Sequence, residues 1–228
     1  MKQYVISDIH GCADTFDALL NKIGLNKDDH LYLLGDYIDR GRSSSSVLET
    51  ILNLKEEQYN LFPIRGNHEE HILKAEKEYD TPTFAYFVKK VNKSKDLLDE
   101  KGSLISKYRD FFEKLPYFYM TTDFIIVHAG LNVSLPDPFS DTNAMIDLRG
   151  FLDTKDHSAL GKRKIIHGHV PTELDEIINK IELKSQIIPL DNGCVYTKPH
   201  KIYDHTKLGN LLCLNLDNFD LTIQKNID

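Results

Sequence analysis

The sequence predicts an α/β fold, a sandwich of two packed β-sheets flanked by helices, and three observations carry that prediction. Short β-rich runs alternate with helix-spaced apolar residues through the first third of the chain; further β-like runs follow a charged helical stretch; and residues able to hold metal ions recur just after the β-like runs. Strands joined by crossover helices imply sheets that are parallel or mostly parallel.

Tyr4 to Ser7 reads as the first strand. Phe16, Leu19, Leu20 and Ile23 follow at helical spacing, with Asp14 as candidate cap and Gly24 as stop. The unit recurs as Leu31 to Leu34 before Val47, Leu48, Ile51 and Leu52, and again as Leu61 to Ile64 before a helix from His68 to Tyr79. The serine run Ser43 to Ser46 lies where a helix begins, so it reads as capping and not as low complexity. Thr81 to Leu115 differs in character: it is charged, broken by Pro82 and Gly102, and ends with Leu104, Ile105, Tyr108, Phe111, Phe112 and Leu115 on one helical face. That pattern predicts a small helical insertion over the sheet. Beyond it come β-like runs at Tyr117 to Thr121 and Phe124 to His128, a helical piece near Asp141 to Leu152, and runs at Lys164 to His167 and Gln186 to Leu190. Leu208 to Leu216 and Asp220 to Gln224 read as an antiparallel pair turning at Asp217 and Asn218, so the sheets are expected to be mixed.

With 228 residues, 41% of them hydrophobic, the chain suits one sizeable core better than two. Residues 1–228 are expected to form a single domain, with 81–115 as an insertion within it. The net charge of −7 is opposite in sign to that of a nonspecific nucleic-acid binder, so any phosphate must be captured locally. Cys12, Cys194 and Cys213 lack the paired spacing of a zinc or redox motif and read as reduced core thiols. Asp8 interrupts the first apolar run before a signal-peptide core can form, and no apolar stretch approaches the roughly 20 residues that span a bilayer. The expectation is a cytoplasmic protein with no membrane or nucleic-acid partner.

The chemistry lies in five blocks: SDIHG with Asp8 and His10, GDYIDRG from Gly35 to Gly41, RGNHE from Arg65 to Glu69, His128-Ala129-Gly130, and HGH from His167 to His169. Each alone is weak. An Asp-x-His pair arises by chance, and a lone His after a strand is more often a hydrogen-bonded core or surface residue than a ligand. Together they supply carboxylate, imidazole and amide donors enough for two divalent cations, all placed where the carboxyl ends of strands converge.

In this order GDYIDRG and RGNHE, with SDIHG, HAG and HGH, resemble the signature blocks of the phosphoprotein phosphatases, calcineurin-like metallophosphoesterases whose compact bacterial and lambda-phage members are nearest in length. The resemblance runs from Ser7 to about Tyr196 and implies the metallophosphoesterase fold. It implies that Asp8, His10 and Asp36 hold one metal and Asp36, Asn67, His128 and His169 the other, with Asp36 as bridge. Two cations clamp and acidify a water, so the implied attacker is hydroxide, displacing the leaving group in line. The resemblance further implies His68 as general acid oriented by Asp39, and Arg40 as a forked phosphate ligand. Mn²⁺ is the favoured metal, with Fe²⁺ or Zn²⁺ as alternatives.

Arg149 matches a second phosphate-binding arginine of the compact members, but Asp147 replaces the aromatic residue common two positions earlier, leaving phosphate ligand and helix-surface charge as even readings. Arg65 reads as structural, Glu69 as a cap for the helix it opens, and His167 as a core or supporting residue. His71, His157, His200 and His205 read as ordinary surface residues. LDNGCVY, Leu190 to Tyr196, resembles the family's closing strand. Pro171 replaces a further metal-binding His found in many nuclease and phosphodiesterase relatives. The first expectation for function is therefore a phosphomonoesterase acting on phosphoserine or phosphothreonine in proteins or peptides, with phosphotyrosine as a further target. The alternative is hydrolysis of dinucleoside polyphosphates such as diadenosine tetraphosphate, and a metal-free protein-binding scaffold is the remote third. The substrate is thus a phosphorylated protein or a small phosphorylated molecule; oligomeric state is not legible.

Overall fold

The computed structural model describes residues 1–150 and 160–228. In chain order the principal elements are β1 (Gln3–Ile6), α1 (Ala13–Ile23), β2 (His30–Leu33), α2 (Ser44–Glu56), β3 (Asn60–Pro63), α3 (Asn67–Glu78), α4 (Thr81–Tyr86), α5 (Ser106–Lys114), β4 (Phe118–Met120), β5 (Phe124–Val127), α6 (Thr142–Asp147), β6 (Lys164–His167), α7 (Leu174–Glu182), β7 (Ile187–Pro189), β8 (Asn210–Asn215) and β9 (Leu221–Lys225).

Two mixed sheets result, ordered β3-β2-β1-β8-β9 and β4-β5-β6-β7. The β1–β2, β2–β3, β5–β6 and β6–β7 pairs are parallel, as the crossover pattern predicts; β8 and β9 form the expected antiparallel pair, and β4 runs antiparallel to β5. Side chains alternate between the faces of each strand with period two. Tyr4, Ile6, Leu31, Leu33, Leu211 and Cys213 therefore meet Phe16 and Leu19 of α1 and Val47, Leu48 and Ile51 of α2. Their neighbours Val5, Tyr32, Leu34, Leu212 and Leu214 point the other way and meet Phe124, Ile126, Ile166 and Ile188 of the second sheet. Ile125, Val127, Ile165 and Ile187 cover that sheet's outer face with Leu131 and Met145. Each fully buried Leu, Ile or Phe contributes roughly 1.5–3 kcal/mol through area removed from water.

Several local expectations change. α1 is capped at Cys12, and Asp14 lies inside its first turn, where the Asp228 carboxylate accepts from Asp14 N at 3.3 Å, Thr15 N at 3.1 Å and Thr15 Oγ1 at 2.6 Å. Gly24 ends α1 with φ +60°, and the Ser43 side chain caps α2, both as the sequence indicates. The insertion is helical but irregular: α4 gives way to a π-type turn at Phe87–Asn92 and a 3₁₀ turn at Lys95–Leu97 before α5. Phe84, Val88, Leu97, Tyr108 and Phe112 join the cluster that α1, α2 and α3 form with one face of the first sheet, so the insertion extends the helical layer. α6 stops at Asp147, shorter than predicted, and Phe151, Leu152 and His157 lie outside the described residues. Leu190 to Tyr196 is loop, not strand, because Asp191 and Gly193 turn the chain, with Gly193 N donating to Asp191 Oδ1 at 2.6 Å. α7 has no counterpart in the sequence reading, although Leu174, Ile177 and Ile181 carry its helical spacing and bury Ile177 and Ile181. Among the described residues no helix is long and apolar enough to cross a membrane.

Candidate metal centre

The blocks lie at the ends of parallel strands: Asp8 and His10 after β1, Asp36 after β2, Asn67 after β3, His128 after β5 and His169 after β6. Backbone hydrogen bonds stitch these loops together. Asp36 O accepts from Ile9 N and His10 N at 3.1 and 2.8 Å, and Gly168 N donates to His128 O at 2.8 Å. The turns are tight enough to force unusual backbone. His10, Asp36, Asp39, Arg40 and His169 have φ of +49°, +51°, +74°, +67° and +69°, a left-handed region that costs non-glycine residues energy and that clusters at functional sites. Two glycines are required by close approach. A Cβ on Gly66 would sit 2.2 Å from Asp36 Oδ1, and one on Gly168 2.1 Å from Asp8 Oδ2.

Asp36 is the centre of the arrangement. Its Oδ2 lies 3.5 Å from His10 Nε2, and its Oδ1 lies 3.5 Å from His128 Nε2. Candidate ligand atoms gather on both sides, His10, Asp36 and His68 on one and Asp36, His128 and His169 on the other, each group within 4.8 Å. Asn67 Oδ1 joins the second, 3.1 Å from both His128 Nε2 and His169 Nδ1. The far nitrogens are already engaged: His10 Nδ1 is 2.9 Å from Ile38 O and His128 Nδ1 is 2.7 Å from Leu34 O. A carbonyl only accepts, so each imidazole carries its proton there and turns the Nε2 lone pair toward Asp36. Lone pairs from Asp36, Asn67, His128 and His169 thus converge on one point and repel one another unless a cation or proton lies between them. This donor set fits a divalent ion of borderline hardness.

Asp8 is buried among the same loops and has further partners. Its Oδ2 accepts from Ser7 Oγ at 2.5 Å and its Oδ1 from His169 N at 3.0 Å, so it braces the His169 loop as well as facing the site. Arg40 folds its fork over two imidazoles instead of pointing outward, Nη1 2.8 Å from His10 Nε2 and Nη2 2.9 Å from His68 Nε2. Arg149, exposed and beyond the end of α6, is not on a helix surface; its charge is felt at His169 and Tyr196, which places it at the rim of the site.

Electrostatics follow from burial and the neighbours. Burial favours a neutral Asp36, yet His128, His68, His10 and Arg40 outweigh it and hold the carboxyl far below its usual value. Burial, helped by Arg40, holds His10 well below 6.5, and burial with His128 lowers His169 to about 3, so both are neutral at pH 7. Burial alone is the main cause that raises Asp8. His68 behaves oppositely: burial lowers it, but the Asp36 and Asp39 carboxylates prevail and raise it above 6.5.

Glu69 is fully buried and accepts from Asp36 N and Tyr37 N at 2.9 Å and from Gly66 N at 3.0 Å, so it caps α3 and clamps the Asp36 loop at once. Arg65 is structural, bonded to Glu70, Phe112 O and Glu113 O. His167 is buried, its Nδ1 3.1 Å from Gly168 O, and burial lowers it to about 4. Cys12, Cys194 and Cys213 are buried free thiols. Three contributors were missed by the sequence reading. Asn92 and Ser94, from the insertion, bond Asp39 at 2.9 and 2.6 Å, and Asp147 lies 3.5 Å from His169 Nε2. No motif marks the first two, because only the folded insertion brings them to the site.

A family model described as calcineurin-like phosphoesterase matches residues 1–209. A symmetrical bis(5'-nucleosyl)-tetraphosphatase of Wigglesworthia glossinidia brevipalpis is 43% identical over 74 residues, 32% of this chain and 26% of the relative, so the match spans about a quarter of that protein's length. The asymmetrical bis(5'-nucleosyl)-tetraphosphatase PrpE of Bacillus velezensis is 24% identical over 216 residues, 84% of each chain. A crystal structure of a protein provisionally named a diadenosine tetraphosphatase shares the fold, with TM-score 0.71 at 18% identity over 100% of this chain and 94% of its own. Since the family match runs through all five loops that meet around Asp36, the chain belongs to the calcineurin-like phosphoesterase family and is a hydrolase, a metallophosphoesterase whose fold implies a pair of divalent cations.

Proposed function

We infer that the chain hydrolyses the polyphosphate bridge of dinucleoside polyphosphates, diadenosine tetraphosphate among them. The observation that carries the phosphoesterase chemistry is the division of Asp36, one oxygen facing His10 and the other facing His128. The substrate class is supported by the relatives, both named bis(5'-nucleosyl)-tetraphosphatases. Phosphoproteins, placed first on the motifs, become the second reading, because the five blocks are common to both activities and cannot separate them.

Asp36 would serve both cations, with Asp8 and His10 completing one site and Asn67, His128 and His169 the other. A bound cation pair supplies Lewis acidity and an activated water, and Mn²⁺ suits this mixed oxygen and nitrogen set. Arg40 only donates, so its contact with His68 Nε2 leaves the His68 proton on Nδ1, toward Asp39 at 2.5 Å. When Arg40 and Arg149 turn to a phosphate, His68 Nε2 is freed to take a proton and pass it to the leaving oxygen. Asp39, bonded by Asn92 and Ser94, keeps the imidazole in that orientation.

The test is a turnover panel with Mn²⁺ supplied, comparing diadenosine tetraphosphate, phosphopeptides, mononucleotides and p-nitrophenyl phosphate. A kcat/KM for diadenosine tetraphosphate well above that for phosphopeptides is expected, and ADP alone versus ATP plus AMP reports where the bridge is cut. The reverse ranking would return phosphoproteins to first place.

A further inference from the structure

Beside Arg149 and His169 lies a hollow of about 470 Å³, within the range of roughly 300–1,000 Å³ common for small-ligand sites. No candidate metal ligand lines it, but their chain neighbours do: Ala129 follows His128, Val170 follows His169, and Leu148 and Gly150 flank Arg149, so the hollow adjoins the loops that carry the site. Val170, Pro171, Leu208, Ile202 and Tyr203 make its apolar wall, and Ile202 is 79% exposed, an aliphatic surface left to water.

The charges lining the hollow argue against phosphate there. Glu173, Glu176 and Asp204 line it, and no lysine or arginine does so among the described residues, although Lys207 pairs with Glu173 at 2.7 Å from outside. A second hollow, lined by the preceding residues Val195 to His200, carries Arg40, Arg42, Lys93 and Lys198 against one carboxylate, Asp228. Phosphate is attracted to the basic side, so the acidic, apolar side suits a neutral group with hydrogen-bond donors.

Between the hollows stands a cluster of three rings. Tyr203 stacks on His200 with centroids 5.4 Å apart and 19° between planes, and its centroid is 4.8 Å from that of Tyr196. The Tyr196 ring in turn lies 6.0 Å from Arg40 Cζ, which ties the cluster to the phosphate-binding side. Nucleobases stack on such rings, and carboxylates accept from their exocyclic amines.

We propose that the hollow is a nucleobase seat, in which the base of the bound nucleotide stacks on Tyr203 over Ile202 and Val170 and offers its amine to Asp204 or Glu176. This deepens the dinucleoside polyphosphate reading and rests on it for the identity of the full substrate. Stacking of one base is lost on removal of an aromatic partner by about 5- to 150-fold in affinity.

Calorimetry on the Mn²⁺-loaded full chain tests the seat with two ligands that are not hydrolysed, α,β-methylene-ADP and methylenediphosphonate. The nucleotide should bind about 5- to 150-fold more tightly than the bare bisphosphonate. Tyr203→Leu and, independently, the surface change Ile202→Asp should shrink that preference to near twofold, and Tyr203→Phe should keep it. Equal affinities in the unchanged chain, or a preference untouched by both Tyr203→Leu and Ile202→Asp, would overturn the proposal. The ratio is a binding measurement, so a preserved preference with no turnover of diadenosine tetraphosphate would sink the functional reading and uphold the seat.

Discussion

His68 Nδ1 and Asp39 Oδ2 are 2.5 Å apart, and the same carboxylate is held by Asn92 and Ser94. Burial would discharge this histidine, but the Asp36 charge first and the bonded Asp39 next raise it above 6.5. Its acid form is present below that raised value and lost as pH rises through it, so kcat for poor leaving groups should fall on the alkaline side. A hydrogen bond to a charged group contributes about 1.5–3 kcal/mol, equivalent to roughly 1–2 pH units. Asp39→Asn is therefore expected to move the alkaline limb of the kcat profile to lower pH by about that much. A limb that stays in place would detach Asp39 from the acid.

Removing the acid itself should discriminate among leaving groups. His68→Asn is expected to slow alkyl phosphates by about 10²–10⁴, the usual contribution of proton transfer. p-Nitrophenyl phosphate and diadenosine tetraphosphate, whose leaving oxygens are less basic, should lose much less. Equal losses on all three substrates would remove the assignment.

Arg149 lies at the rim, where its charge reaches His169 and Tyr196. Arg149→Ala should raise KM and the inhibition constant for inorganic phosphate together, by about tenfold for one lost charge-assisted bond of about 1.5 kcal/mol. Metal content should be unchanged. An unaltered phosphate inhibition constant would leave Arg149 as a surface charge.

Gly66 has no room for a side chain, since its Cβ would meet Asp36 Oδ1 at 2.2 Å and Asp36 N at 2.4 Å. Gly66→Ala should push Asp36 aside, lowering metal content and activity together, and overpacking of this kind costs about 1–3 kcal/mol in stability. Metal analysis and thermal melting check both. A variant with full metal occupancy would show that the Asp36 loop is less constrained than its geometry requires.

The parallel strands and the metal blocks were legible because both follow local rules. β1, β2 and β3 announce themselves by apolar runs, and each ligand comes one to four residues after a strand ends. What depends on tertiary placement was not legible. Nothing local tells that Asn92 and Ser94 reach Asp39, that Asp147 faces His169, or that Asp228 caps α1. α7 was missed although Leu174, Ile177, Ile178 and Ile181 carry helical spacing, and Leu190 to Tyr196 failed as a strand because Asp191 accepts the Gly193 N–H and bends the chain. The insertion showed its helical character in sequence, but not its role in holding the His68 partner.

All of these expectations depend on Asp36 serving two cations at once. Electron paramagnetic resonance combined with metal analysis of the Mn²⁺-loaded chain measures this directly. Two ions per chain with a spin-coupled spectrum are predicted, and Asp36→Asn should abolish the coupling. One ion per chain, or two with independent spectra, would contradict the account.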